Sequence, residues 1–423
     1  MRERTDYDVV IVGARPAGAA TALLLARAGL RVLALDQARF PSDTLSTHQV
    51  QLPGVALLSR WGVLGKIAAT GCPPARDVRF DTGPVVLRGR YRACPGADAV
   101  YSPRRTVLDK ILLDAAREAG AEVAEGLRAD GLVRDDHGRV AGVTACPRGT
   151  GDGAGKPAAV SARLVVGADG KHSMVARAVA AREYRRQPAL SAGCYAYWSG
   201  LPLAGGEIYQ RPRRAVGAWP TNDGQAITFV AVPAAEFGSF RADLEVNFLA
   251  ALDLAGDLGE RARDAVRTGP VRATSDLPNV FRVPYGPGWA LVGDAGLVMD
   301  PVTGQGIGLA LRDADELARA VTAGLGGQRL DRALAAYHKA RDTRTRPMYA
   351  MTTGIASFRP NPAGDVLFPA LAADQARTAD FLGVLTGTVD PRRFFSPRNL
   401  VRVLGVRGML AAARAGKGRE PGE

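Results

Sequence analysis

Apolar positions along this chain alternate between short unbroken runs and stretches with a helical period. DVVIVG is continuous, rich in β-branched residues and closed by glycine, which predicts a buried parallel strand. ARPAGAATALLLARAGL predicts a helix opened by small residues, and RVLALD a second strand, so the chain begins with a βαβ unit. After the polar loop QARFPSDTLSTHQ, VALLSRWGVLGKIAATG predicts a helix and VRFDTGPVVLRGRYRAC a hairpin. YSPRRTVLDKILLDAAREAG predicts a helix with a leucine face, followed by strands in AEVAEGL, GLVRDD and RVAGVTAC. PRGTGDGAGKPAA is expected to be a loose hairpin tip, and LVVGADG another buried strand running into a turn.

From about 182 to 285 the pattern changes to short strands, CYAYWSGL, EIYQ, AVGAWP, QAITFVAV and VFRVPY, with one helix around 241–254. A second, mostly antiparallel sheet is expected there. WALVGDAG returns to the first style, GIGLALRDADELARAVTAGL predicts a long helix, and LDRALAAYHKARDTRTRPM another. Residues beyond about 350 are helical and punctuated by proline, and the chain has no internal repeat. The fold class is α/β: a Rossmann-like nucleotide-binding domain over 1–75, 100–181 and 282–350, an antiparallel substrate domain over 76–99 and 182–281, and a C-terminal helical region over 351–423.

Composition narrows the function classes. The 423 residues are 47% hydrophobic and 23% charged, ordinary values for a soluble globular chain. Four cysteines (Cys72, Cys94, Cys146, Cys194) form no CxxC pair, which suggests neither a zinc site nor a disulfide scaffold and fits a reducing cytoplasm. Gly13, Arg15, Pro16 and Gly18 interrupt the first apolar run, so it is not read as a signal peptide. No segment is apolar for long enough to span a membrane. The net charge of +13 is spread along the chain without a helix-turn-helix or aromatic-interleaved basic module, so nucleic acid is not expected as a partner. A positive field favours capture of an anionic cofactor or substrate. FFSPRNLVRVLGVRGMLAAARAGKGRE is expected to form a basic amphipathic helix followed by a polar tail, packed on the body rather than attached to a membrane.

Two distant motifs carry the chemistry. Gly13-Ala14-Arg15-Pro16-Ala17-Gly18 lies between a strand and a helix, where the outer glycines allow a tight turn and close packing. The helix start then offers free N–H groups to a pyrophosphate. Asp36, ending the second strand and followed by Gln37, is placed for the ribose hydroxyls. Arg15 replaces the middle glycine of the fingerprint, limiting backbone approach but offering a guanidinium to phosphate. Further along, Gly293 and Asp294 end a buried strand, and Asp300-Pro301 precede Gly304-Gln305-Gly306-Ile307 at a helix start. An aspartate there suits a ribityl hydroxyl, and the helix start suits the N1/C2 carbonyl edge of a flavin, whose reduced form is anionic at that edge.

VGDAGLVMDPVTGQGIGLALRDA resembles the second FAD motif of the FAD monooxygenases related to para-hydroxybenzoate hydroxylase, a superfamily that also includes flavin halogenases and geranylgeranyl reductases. LVVGADGKHSMVAR resembles its intervening Asp-Gly motif, and the likeness covers about residues 6–345. The resemblance implies that Asp169 and Gly170 are the Asp-Gly pair and Arg105 an FAD-contacting arginine. It further implies that Asp294 is the ribityl ligand and that the Pro301 backbone lies beside the reactive edge, with Gly304, Gln305 and Gly306 at the pyrimidine ring. His172 matches a histidine implicated in binding reduced nicotinamide, with an exposed turn histidine as the plain alternative. The loop with Thr47 and His48 corresponds to a segment near the isoalloxazine, where His48 is expected to hydrogen-bond flavin or substrate, or to carry a covalent flavin link.

The activity that the resemblance implies is NAD(P)H-dependent reduction of FAD, addition of molecular oxygen at C4a to form a hydroperoxide, and oxygen transfer to an aromatic, polyketide-like or other electron-rich small molecule, with secondary metabolism as the expected setting. The general base stays open among Tyr195, Tyr197, Tyr209 and Arg211. Alternatives are a reductase of isoprenoid double bonds and a protein that binds FAD without turnover. A halogenase would carry a WxWxIP segment and a catalytic lysine, whereas Trp198, Trp219 and Trp289 stand apart and Lys66 sits in an expected helix. His137 and His338 are expected to face solvent.

Overall fold

In strand Tyr7–Val12 the side chains from Val9 to Val12 are all apolar because both faces are covered there. It pairs in parallel with Val32–Asp36 on one side and Ala158–Gly167 on the other. The sheet extends to Glu122–Glu125 at one edge and, through Trp289–Leu291, to Tyr285–Gly286 at the other. The structure is a computed structural model describing residues 6–148 and 158–417. Val140–Pro147 pairs antiparallel with Ala158–Gly167, so the expected PRGTGDGAGKPAA tip joins these strands, although most of it lies outside the described residues.

Register places the site. Val12 lies opposite both Leu35 and Gly167, and Gly167 opposite Leu291, so four parallel strands end on one line. The turns that leave them carry Gly13, Asp36, Asp169 and Gly293-Asp294 to one edge of the sheet, where ligands of open α/β sheets bind. Helices Pro16–Arg27 and Gly306–Leu325 pack against each other beneath this edge, their starts pointing toward it.

The second sheet runs in the order Val266–Arg267, Ser191–Ser199, Gln225–Pro233, Arg214–Pro220, Gly206–Arg211, Asp77–Asp81, Val86–Arg90. Alternation along Ser191–Ser199 divides its faces. Ala192, Cys194, Ala196 and Trp198 pack with Phe240, Phe248, Leu252 and Leu258, whereas Tyr195 and Tyr197 join Trp219 and Phe229 on the other side. The helix expected around 241–254 is three helices, Phe237–Ala242, Leu244–Asp253 and Leu258–Asp264.

VFRVPY does not join this sheet. Asn279–Arg282 pairs with Glu183–Gln187 and Leu297–Val298 in a small three-stranded sheet, and Tyr285–Gly286 folds onto the first sheet. Its apolar pattern announced a strand without naming the partner. Helix Leu330–Ala356 continues past Pro347 and beyond position 350. Shorter helices follow up to Lys417.

Candidate active site

A cavity of about 950 Å³ opens along the shared strand edge. Its wall begins at Gly13, Arg15, Pro16 and Ala17, passes Asp36, Gln37 and Arg105, and continues by Asp169, Gly170 and Asp294. It ends at Pro301, Gly306 and Ile307 on one side and Gly193, Tyr195 and Phe229 of the second sheet on the other. Loop residues Thr44, Leu45, Ser46 and Thr47 close over it. A space of this size suits a cofactor together with a small substrate.

The first turn is built so that the backbone alone meets the ligand. Gly13 has φ of 97°, and a Cβ on it would lie 2.5 Å from the Ala168 carbonyl oxygen. A Cβ on Gly18 would lie 1.8 Å from the Gly13 carbonyl oxygen, so strand and helix are in backbone contact there. Ala14 and Gly18 stand behind the wall and shape the turn. Asp36 performs a task absent from the sequence reading: its Oδ2 accepts from Ala14 N–H at 2.8 Å and its Oδ1 from Ala38 N–H at 2.8 Å, tying the loop to the second strand.

Arg15 lines the cavity with its guanidinium already engaged by the chain. Its guanidinium donates to Asp109 Oδ2 at 2.8 Å and to Ser42 Oγ at 3.1 Å. Arg105 holds the same carboxylate, from Nε to Oδ1 at 2.7 Å and from Nη2 to Oδ2 at 2.9 Å. Asp109, fully buried, went unnoticed in the sequence. The Arg105-to-Asp109 spacing of four on a helix was its only signal.

Asp294 is exposed to the cavity, and no described group donates to its carboxylate. Its surroundings raise its pKa above the usual carboxylate range, while the Arg105 charge pulls the other way. Asp169 Oδ2 accepts from Met174 N–H at 2.7 Å and Val175 N–H at 3.2 Å, whereas Oδ1 is buried without a partner; burial raises this pKa as well. Asp300 Oδ2 accepts from Ser191 Oγ–H at 2.7 Å, and the Asp300 N–H donates to Asn279 Oδ1 at 2.9 Å, fixing Pro301 against the second sheet. Gly293, Gly304 and Gln305 do not line the cavity; the Gln305 amide donates to the Leu385 carbonyl at 2.8 Å and anchors the helix start from behind.

His48 also stands behind the wall, contrary to the expected contact with flavin or substrate. It is fully buried in a left-handed conformation with φ of 64°. Nδ1–H donates to the Ser46 carbonyl at 2.8 Å, which leaves Nε2 to accept from the Tyr197 hydroxyl. Burial pushes its pKa down to about 3, so the ring is neutral and fastens the cavity loop to the second sheet. Tyr209 and Arg211, candidates for a base, are likewise away from the cavity: the Tyr209 hydroxyl donates to Glu207 and Arg211 pairs with Asp81.

At the cavity rim, Asp276 joins Lys171 and His172, with His172 Nε2 2.6 Å from its Oδ2 and Lys171 Nζ 3.0 Å away. Although burial pushes Asp276 up, hydrogen bonds from Lys171 and His172 hold it below its ordinary range. His137 is exposed as expected. His338 is half-buried instead, 3.2 Å from the Tyr184 hydroxyl and 3.6 Å from Asp342, because its helix packs on the three-stranded sheet. Lys66 pairs with Glu118 on the surface and does not line the cavity.

These donors and acceptors fit FAD. Two helix starts present N–H groups without intrahelical partners, and Asp294 is an acceptor-rich carboxylate without a partner among the described residues. The model of the FAD-binding domain family matches residues 6–352. A 6-methylpretetramide 4-monooxygenase of Streptomyces rimosus is 34% identical over 171 residues, covering 40% of this chain and 39% of that enzyme. A digeranylgeranylglycerophospholipid reductase of Methanococcoides burtonii is 26% identical over 317 residues, covering 73% of this chain and 72% of the reductase. The flavin-dependent brominase Bmp2 shares the fold, with a TM-score of 0.78 at 18% identity over 96% of this chain and 99% of the brominase. The chain belongs to the FAD-binding domain family, within the FAD-dependent superfamily of monooxygenases, halogenases and geranylgeranyl reductases.

Proposed function

We propose that the protein is an FAD-dependent monooxygenase that consumes NADH or NADPH and hydroxylates an aromatic or other electron-rich small molecule. The observation that carries this reading is the continuity of one cavity from the Gly13 turn to the Tyr195 and Phe229 wall. Cofactor and planar apolar substrate then share one enclosure.

Bound FAD supplies the two-electron chemistry, accepting hydride from reduced nicotinamide and activating molecular oxygen. The N–H groups at the start of Pro16–Arg27 hold the pyrophosphate, with Arg105 as a nearby fixed cation. Asp294 accepts a hydrogen bond from a ribityl hydroxyl. The start of Gly306–Leu325 stabilises negative charge at the pyrimidine edge, and Pro301 sets the backbone beside the reactive edge. Tyr195, Phe229 and Leu277 exclude water from the substrate end. Lys171 and His172 present a polar rim suited to the nicotinamide cofactor.

The test is oxygen uptake and NAD(P)H oxidation by the FAD-loaded protein over a panel of aromatic and polyketide-like compounds, followed by mass detection of one added oxygen atom. Failure of both NADH and NADPH to reduce the flavin under nitrogen overturns the reading. A second reading, reduction of isoprenoid double bonds, is favoured by the length of the match to the archaeal reductase. It predicts product formation without oxygen uptake.

A further inference from the structure

The last helix, Pro397–Lys417, breaks at Gly405, where φ is 66° and ψ is 172°. The two parts have different surroundings. Before the break Val403 is buried and Leu400 and Leu404 are half-buried in the core. There Arg377 Nη1 donates to the Val403 carbonyl at 2.9 Å. The sequence expectation of a helix packed on the body applies to this part.

Beyond the break Val406 and Leu410 are 67% and 54% exposed. Val406, Met409, Leu410 and Ala413 follow the spacing of one helical stripe, and exposed Arg407 and Arg414 run beside it. Just upstream Val401 is also exposed next to Arg402. Residues 391–419 contain eight Lys and Arg and no Asp or Glu. A second copy of such a segment would meet like charge, whereas a surface of phosphate headgroups over acyl chains complements both the cations and the apolar stripe.

We propose that the C-terminal helix docks this protein on an anionic lipid bilayer. It lies in the interface plane, with Val406 and Leu410 entering the headgroup boundary and Arg402, Arg407 and Arg414 contacting phosphates with their apolar stems down. Attraction between exposed charges is screened by salt, so binding falls as ionic strength rises.

The test is co-sedimentation of the full-length, FAD-loaded protein with vesicles of phosphatidylcholine containing phosphatidylglycerol, and with vesicles of phosphatidylcholine alone. Two variants are compared, Val406→Asp with Leu410→Asp, and Arg402→Glu with Arg407→Glu and Arg414→Glu. All five side chains are exposed, and retained flavin and an unchanged melting temperature show that the fold is intact. The parent is expected to sediment with the anionic vesicles, and either variant, or removal of phosphatidylglycerol, to weaken binding by at least about tenfold. Equal binding by parent and variants, or no sedimentation of the parent, overturns the proposal. So does a parent dimer that the Val406→Asp and Leu410→Asp variant dissociates. None of these outcomes depends on the reaction catalysed.

Discussion

Asp109 and His48 stand behind the cavity and fix the groups that line it. Asp109 holds Arg15 and Arg105 at once, so Asp109→Ala leaves two guanidinium groups without their carboxylate. Breaking such a buried network costs about 3–5 kcal/mol, a loss that urea unfolding will read directly; a loss below about 1 kcal/mol would show that solvent replaces the carboxylate. His48 supplies a pH signature. Its folded pKa, about 3, lies below the ordinary value of about 6.5, so between these limits the unfolded chain binds more protons. Stability from this group is complete above pH ~6.5 and falls as pH drops toward 3, by up to about 1.4 kcal/mol per pH unit. Asparagine tolerates the left-handed backbone, so His48→Asn, compared with the parent between pH 7 and 5, is expected to have a shallower dependence. Identical slopes would mean that His48 does not titrate in this way. Asp294 is tested by flavin titration. Asp294→Ala is expected to weaken FAD binding by about 1.5–3 kcal/mol, the range for a hydrogen bond to a charged group, and unchanged affinity would remove it from the ribityl contact.

At the scale of elements, the opening βαβ unit was legible because each part has its own local cause. An unbroken apolar run, a glycine turn and a helix opened by small residues lie together in sequence. Its weak point is the contact between strand end and helix. Gly18→Ala puts a methyl group against the Gly13 carbonyl, and neither backbone can move without shifting the turn. A loss of at least about 2 kcal/mol in stability, with loss of retained flavin, is expected from this overpacking. A variant that keeps its flavin and its melting temperature would show that the turn relaxes. The second sheet was legible as a run of strands, yet VFRVPY was assigned to the wrong sheet. A short apolar strand carries the same signal whether its partner is Gln225–Pro233 or Glu183–Gln187, because pairing is chosen by long-range packing.

For the whole molecule, the site exists only where the two layers meet. FAD bound in the cavity would touch elements separated by nearly 300 residues in sequence, so its binding would favour the folded chain over the unfolded one. At a hundredfold excess over its dissociation constant FAD is expected to add about 2.7 kcal/mol of stability, visible as a melting temperature that rises with FAD concentration. A melting temperature independent of FAD would mean that the cavity does not hold it in the folded state. The aromatic wall depends on the same closure. Tyr195 and Phe229 lie opposite each other on paired strands and both line the cavity, and Ser191, at the start of the Tyr195 strand, donates to Asp300 beside Pro301.

Sequence by itself determined the strand ends, the glycine turns, the helix starts and the family, because these are local patterns whose physical causes lie within a few residues. Tertiary structure decided which side chains reach the ligand. His48 and Gln305 look like ligands when read along the chain, but Tyr197 and Leu385 engage them behind the wall from elements that are 75 residues or more away in sequence. The reason is physical. A buried polar group must satisfy its hydrogen bonds with whatever the fold brings near, and sequence spacing does not encode that neighbour.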